Sequence, residues 1–259
     1  MEDSEQVAPI ALVTGAAVRV GRAILTRLAG AGYRVWLHYH RSEAAAAELA
    51  EELGARCVGT IQADLAAEPA RAALAVRVLD PQGPAGGRLD LLVNSAASFE
   101  RGEFTARSDD DLRRVLEVNL VAPLSLVRAL APALTAARGA VVNILDVAGL
   151  QPWRGYLDHC TAKAALLMAT KALAIELAPA VRVNGVAPGT VAWPEEGDPR
   201  FAEGSEIRAR IMRAIPLRRI GTPEDVAETV LFLARSAFVS GQVIAVDGGR
   251  SAAGGVAGG

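Results

Sequence analysis

The stretch from Pro9 to Ala31 limits what this chain can fold into more than any other. An apolar run, PIALVT, ends at Gly15, small residues follow, and apolar positions then recur at helical spacing from Gly21 to Ala31. That is the pattern of a buried strand turning sharply into a helix. A helix begun on such a turn points free N–H groups and positive potential at whatever lies in front of it, which suits the pyrophosphate of a dinucleotide. By itself the glycine pattern also fits plain close packing of a helix on a strand.

The unit repeats. Val35 to Tyr39 reads as a second strand, and Ser42 as the N-cap of a helix from Glu43 to Leu53 that Gly54 ends. Arg56 to Gln62 is a third strand, Glu68 to Leu79 a third helix, and Leu89 to Asn94 a fourth strand after the loop PQGPAGG. Ser108 caps a helix from Asp109, which Pro123 bends or restarts on its way to Ala136. Gly139 to Ile144 and Val181 to Val186 are strands on either side of a helix from Tyr156 to Ala178. Thr222-Pro223-Glu224-Asp225 starts a last helix, and Gln242 to Val246 is the final strand.

Such alternation predicts the α/β class: a single-domain, Rossmann-type, doubly wound parallel sheet of about seven strands with helices on both faces. One segment breaks the rhythm. Pro188, Gly189, Pro194, Gly197 and Pro199 discourage regular structure, so residues 188–213 are expected to form a substrate loop or lid. The glycine- and alanine-rich tail, 251–259, has little to bury and is expected to be flexible.

Composition matters mainly for what it argues against. With 259 residues and no internal linker, one domain (1–259) is favoured over two, and a formal charge of −2 gives no electrostatic reason to expect nucleic acid or an anionic membrane as partner. A small-molecule substrate is expected instead. The opening MEDSEQVA is acidic, unlike a leader, and no apolar run reaches the roughly 20 residues of a membrane span, so the expected location is cytoplasmic. Cys57 and Cys160 lie far apart and in no CxxC pattern, which supports neither a metal site nor a disulfide.

The turn Gly15 to Gly21 carries a departure. Arg19 stands where TGxxxGxG usually has glycine, and a cation beside a phosphate loop suggests an additional phosphate. The end of the second strand agrees: His38-Tyr39-His40-Arg41-Ser42 offers no carboxylate to a ribose before Glu43. Arg41 can fork onto a 2′-phosphate and Ser42 can donate to it, so NADP(H) is expected rather than NAD. Asp64-Leu65 can serve an adenine amino group and ring, or Asp64 can simply cap a turn. Asn94-Ser95-Ala96-Ala97 would let backbone approach a cofactor.

Together TGAAVRVG, Asp64-Leu65, NSAA, Asn119 within EVNLVAP, Lys163, PGT at 188–190 and SGQVIAVDGG resemble the short-chain dehydrogenase/reductase family over almost the whole chain. Within it, Arg19, HYHRS, Phe99 and an aspartate at the usual serine position, Asp146, look like pteridine reductases. The resemblance implies NADP(H) held by Gly15, Arg19, Val20 and Gly21, by His40, Arg41 and Ser42, by Asp64 and Leu65, and by Asn94 and Ala96. It further implies cofactor contacts at Lys163, Pro188, Gly189 and Thr190. Phe99 would stack on a flat pterin, with Tyr156 and Trp193 near the same pocket. Asn119 would keep a helix open for a proton-relay water. The resemblance also implies a homotetramer built on the long helices 109–136 and 156–178.

One replacement stands apart. His159, four residues before Lys163, occupies the position of the family's catalytic tyrosine. A reductase needs a proton donor where negative charge develops on the acceptor. Asp146 and His159 are therefore expected to act as a coupled donor pair beside Lys163, with Tyr156 a competing donor. The expected activity is reduction of a pterin-like substrate such as dihydrobiopterin, dihydromonapterin or dihydrofolate. The alternatives are a carbonyl reductase of a 3-oxoacyl or other ketone substrate, and a catalytically impaired NADP-binding protein.

Overall fold

The computed structural model describes residues 7–193 and 201–253. Seven parallel strands form one sheet in the order β3-β2-β1-β4-β5-β6-β7. They are β1 (Ile10–Val13), β2 (Arg34–Tyr39), β3 (Cys57–Gln62), β4 (Leu91–Asn94), β5 (Ala140–Ile144), β6 (Arg182–Pro188) and β7 (Val243–Val246). The helices are α1 (Arg19–Gly30), α2 (Glu43–Leu53), α3 (Glu68–Leu79), α4 (Asp109–Leu116), α5 (Ala122–Ala136), α6 (Leu157–Glu176), α7 (Glu206–Ala214) and α8 (Pro223–Arg235).

Burial on both faces explains why the strands are apolar throughout rather than alternating. Successive side chains of β1 feed opposite layers. Ala11 and Val13 pack with Leu28, Val226 and Val230 of α1 and α8, whereas Ile10 and Leu12 pack with Leu74, Leu126 and Leu130 of α3 and α5. The chain winds outward from β1 to β3, then returns to add β4 on the other side of β1. At that reversal the loops after β1 and β4 part, and a crevice opens at the carboxyl ends of the strands.

Several expectations are corrected. The 188–213 segment is not irregular throughout: Pro188 closes β6, and Glu206–Ala214 is a helix whose Ser205 cap accepts from the Arg208 N–H. Proline and glycine stop at Gly204, so the helix begins where the breakers end; Pro194, Gly197 and Pro199 lie outside the described residues. The tail also starts in ordered contact. The Ser251 N–H donates to Asp247 Oδ2 at 2.7 Å and the Ala253 N–H to the Gly249 carbonyl, while 254–259 lie outside the described residues. Ser42 occupies the N-cap position of α2 but makes no side-chain cap. Tyr156 is the N-cap residue of α6 rather than part of it.

The expected break in the long central helix falls at a π-turn, Glu117–Val121, just before Pro123. Ser108 caps α4 in a reciprocal box with Asp111. By length and composition alone, 109–136 is apolar enough to cross a membrane. It opens with three aspartates, and Leu126, Val127, Leu130 and Leu134 belong to the core beneath the sheet.

Gly21 fixes how closely α1 can lie against the first turn. A Cβ there would meet the Gly15 carbonyl oxygen at 2.0 Å, backbone that cannot move aside cheaply. Gly21→Ala is therefore expected to destabilise the fold by about 1–3 kcal/mol. A denaturant melt matching the parent protein would contradict this account of the turn.

Candidate active site

The crevice is a cleft of about 1140 Å3 that runs from the β2 end, past the α1 N-terminus, to the β5–α6 junction. At its head, Val18 precedes α1 with no side-chain cap, and the first turn holds no acid. The N–H groups there remain open to an anion. Gly15 adopts φ +64 and Arg19 φ +53, the left-handed region that glycine enters freely and arginine does not. From that strained position Arg19 Nη2 donates to the Trp193 carbonyl at 3.3 Å, tying the phosphate turn to the strand of chain across the cleft.

A residue that sequence reasoning passed over holds this turn. His38, buried on β2, accepts the Gly15 N–H at Nδ1 (3.0 Å), and its Nε2 lies 3.1 Å from the Ala63 carbonyl, to which it must donate. Burial pushes its pKa down to about 4, so the imidazole is neutral and the two bonds fix its tautomer. The position in HYHRS was visible; nothing in the pattern said that this histidine, rather than His40, turned inward.

Most of the expected cofactor residues line the same cleft: Gly15, Arg19, Val20 and Gly21, then His40, Arg41 and Ser42, then Asp64, Leu65 and Ala96, and finally Pro188, Gly189 and Thr190. Asp64 Oδ1 accepts the Ala66 N–H, a turn cap, while Oδ2 lies 3.8 Å from His40 Nε2. Among the described residues no carboxylate pairs with Arg41. Asn94 and Lys163 are the exceptions, and Asn94 lies deepest in the sheet. Its side chain is buried in the sheet, where Nδ2 donates to Asn143 Oδ1 and Asn143 donates onward to Thr170, so it does not line the cleft. The uncapped helix start and the close glycine turn fit the phosphates of a nicotinamide dinucleotide.

At the other end, β5 stops at Ile144 and the chain stays extended to Asp146, whose Oδ1 accepts the Ala148 N–H at 2.8 Å. The turn that follows lies hard on α6: a Cβ at Gly149 would meet the Lys163 carbonyl carbon at 2.8 Å. Asp146 Oδ2 then sits 3.2 Å from His159 Nε2, and His159 Nδ1 sits 3.2 Å from the Ser98 carbonyl. Both ring nitrogens thus face oxygen. The carbonyl can only accept, and an ionised carboxylate likewise, so each ring nitrogen is placed where it can donate.

His159 is buried and absent from the cleft wall, whereas Asp146, Leu145, Phe99, Trp153 and Tyr156 form it. Phe99, 52% exposed, stacks on Tyr156 with ring centroids 4.6 Å apart and meets the His159 ring edge-on at 4.8 Å. Trp193 lines the far wall with the Arg208 guanidinium 4.4 Å over its ring. Asn119 sits in the π-turn: its Nδ2 donates to the Val115 and Ser98 carbonyls and its Oδ1 accepts the Ser98 N–H. Val115 is four residues back, so the side chain also bonds to the backbone of the helix that leads into the π-turn.

A family model described as enoyl-(acyl carrier protein) reductase matches residues 15–251. The chain is a short-chain dehydrogenase/reductase. Pteridine reductase 1 of Leishmania tarentolae is 35% identical over 288 aligned positions, covering 94% of this chain and 96% of that protein. Nodulation protein G of Rhizobium sp. is 38% identical over 244, covering 92% and 95%. A 3-oxoacyl-(acyl-carrier-protein) reductase of Staphylococcus aureus is 33% identical over 245, covering 92% and 96%. These proteins support reductase activity with a nicotinamide cofactor for a short-chain dehydrogenase/reductase of this kind, and their similar identities do not select a substrate.

Lys163, one helical turn after His159, is buried and donates to the Ile144 carbonyl at 2.8 Å. Burial lowers its pKa from 10.5 to about 8, with the Asp146 charge opposing. Between those values the unfolded chain binds a proton that the folded one does not, so raising pH favours the fold. The melting temperature of the cofactor-free protein, measured relative to Lys163→Met, is expected to rise from pH 8 to 10.5. A pH-independent difference between the two proteins would contradict it.

Proposed function

We propose that this protein is an NADPH-dependent reductase of a pterin-like substrate, dihydrobiopterin, dihydromonapterin and dihydrofolate being its nearest forms. The observation that carries the reading is the 3.2 Å contact of Asp146 Oδ2 with His159 Nε2 beside the aromatic wall of Phe99 and Tyr156. A flat ring laid against Phe99 would have Asp146 at its edge. Arg41 without a carboxylate partner among the described residues, Ser42 with a free hydroxyl in place of a cap, and no acid at the end of β2 support NADP(H) over NAD.

Bound NADPH supplies hydride. The chain's own residues then do four things. The open N–H groups of α1 bind the pyrophosphate, with Gly15 held by His38. Lys163, tied to Ile144, would hold the nicotinamide ribose. Asp146 presents the shared proton at the cleft wall, where charge develops on the acceptor atom. His159 acts behind it: with Nδ1 on the Ser98 carbonyl, its Nε2 holds the shared proton against Asp146 until Asp146 passes it to the acceptor, and Asp146, open to the cleft, takes the next proton from water. Tyr156, stacked on Phe99, serves the substrate ring rather than the proton.

The homotetramer belongs to this reading, and Leu157, Met168 and Ile175, exposed on α6, give it an apolar face. A carbonyl reductase remains the second reading, because a ketone oxygen could draw on the same proton and a 33% identical relative is a 3-oxoacyl reductase.

NADPH oxidation with dihydrobiopterin, beside a simple 3-oxo ester, tests the proposal. Turnover of the pterin alone is expected. Turnover of the ester alone supports the second reading, and turnover of neither despite tight NADPH binding supports an impaired cofactor-binding protein. Asp146→Asn and His159→Phe should each lower kcat by about a hundredfold or more, whereas His159→Tyr should keep activity. Arg41→Ala should raise the KM for NADPH and leave that for NADH nearly unchanged.

A further inference from the structure

Arg250 takes no part in the chemistry above, yet its side chain lines the substrate end of the cleft. It is aimed there by a tight turn. Asp247, just beyond β7, accepts the Gly249 N–H at Oδ1 (2.9 Å) and the Ser251 N–H at Oδ2 (2.7 Å), and Gln151 Nε2 donates to the Ser251 carbonyl. Both oxygens of the neighbouring carboxylate are thus engaged by backbone.

The guanidinium itself is poorly matched by protein. It lies 5.2 Å over the Trp153 ring and reaches only Thr190 Oγ1, at 3.5 Å. Among the described residues no carboxylate forms an ion pair with it. Asp146, which faces it across the cleft, is committed to Ala148 and His159. Burial pushes the Arg250 pKa down while Asp146 and Asp247 hold it up. A half-buried guanidinium with most of its five N–H donors unused costs stability unless something else meets it.

We infer that Arg250 is a substrate-recognition residue and that the substrate carries a carboxylate, which the planar guanidinium grips beside Trp153. A carboxylate matches the fork of two parallel N–H donors better than a neutral oxygen does. On the proposed reading the cofactor's phosphates would be met at the other end of the cleft, at the α1 turn and Arg41, which leaves this cation for the substrate. The inference rests on the pterin reading and narrows it: a pterin bearing an acidic tail, as dihydrofolate does, fits better than one bearing a neutral side chain.

The test is calorimetric binding of folate and of folate dimethyl ester to the protein loaded with NADP+, which cannot reduce either, in the parent and in Arg250→Gln. The parent is expected to bind folate about tenfold or more tightly than the ester, the scale of one charge-assisted contact. In Arg250→Gln the two should bind within about twofold of each other, and Arg250→Lys, which keeps the charge and loses the fork, should fall between. A ratio near one in the parent, a ratio that survives in Arg250→Gln, or a glutamine variant that no longer binds NADP+ would each overturn the inference. If the ratio behaves as expected while dihydrofolate is not reduced with NADPH, the pterin-reductase reading fails and the carboxylate site stands.

Discussion

A parallel sheet covered by helices on both faces leaves water only at its ends, and the placement of every reactive group in this protein follows from that. Side chains pointing up or down from β1, β4 and β5 enter dry layers, so polar ones there must find partners inside. Asn94, Asn143 and Thr170 do so in a chain of hydrogen bonds. The groups that reach the cleft lie chiefly just past the strands' carboxyl ends, with His159 and Lys163 of α6 behind them. There backbone leaves the ladder and side chains from separate strands converge: Gly15 after β1, Ser95 to Phe99 after β4, Asp146 after β5, and Thr190 after β6.

Convergence needs fixing in place, and one peptide does much of it. The Ser98 N–H and carbonyl are both taken by Asn119, and the same carbonyl faces His159 Nδ1. The π-turn, the β4 loop and α6 therefore meet at a single backbone unit. Thr14 does the equivalent at the cofactor end, its hydroxyl accepting the Ser95 and Ala96 N–H groups. Arg71 joins the two halves: buried on α3, it donates to the Leu65 carbonyl and pairs with Glu117 at 2.7 Å, linking the end of β3 to the π-turn that holds Asn119.

The elements whose signals are local were legible from sequence. Strand runs, the Ser108 and Thr222 caps, the bounds of α2 and α3, and the glycine turn all depend on neighbours within a few residues. What was hidden depends on contacts across the fold. His38 reads as one of two histidines in HYHRS, and only the approach of Gly15 and Ala63 makes it a clamp. Asn94 looks like a cofactor ligand by its place after a strand, but the pleat turns it toward Asn143. Helix α7 was obscured by the prolines before it. Arg250 follows a glycine pair in a stretch that looks like a tail, and no local pattern reveals that Asp247 closes a turn aiming it inward.

His159 is where these strands of reasoning meet. A tyrosine replaced by histidine in a site that had lost its chemistry would need no particular surroundings, and an imidazole with one nitrogen on a carbonyl and the other unengaged would serve a core well enough. Here the second nitrogen meets Asp146, and a buried lysine lies one turn away. A carboxylate at the cleft wall, a buried imidazole behind it and a buried lysine with a lowered pKa are an expensive way to fill a core. Their spacing makes sense as machinery for holding one proton at the wall of a cleft. The same reasoning assigns the roles within the pair: the group that touches the cleft is Asp146, so the histidine's contribution is to charge and orient it from behind.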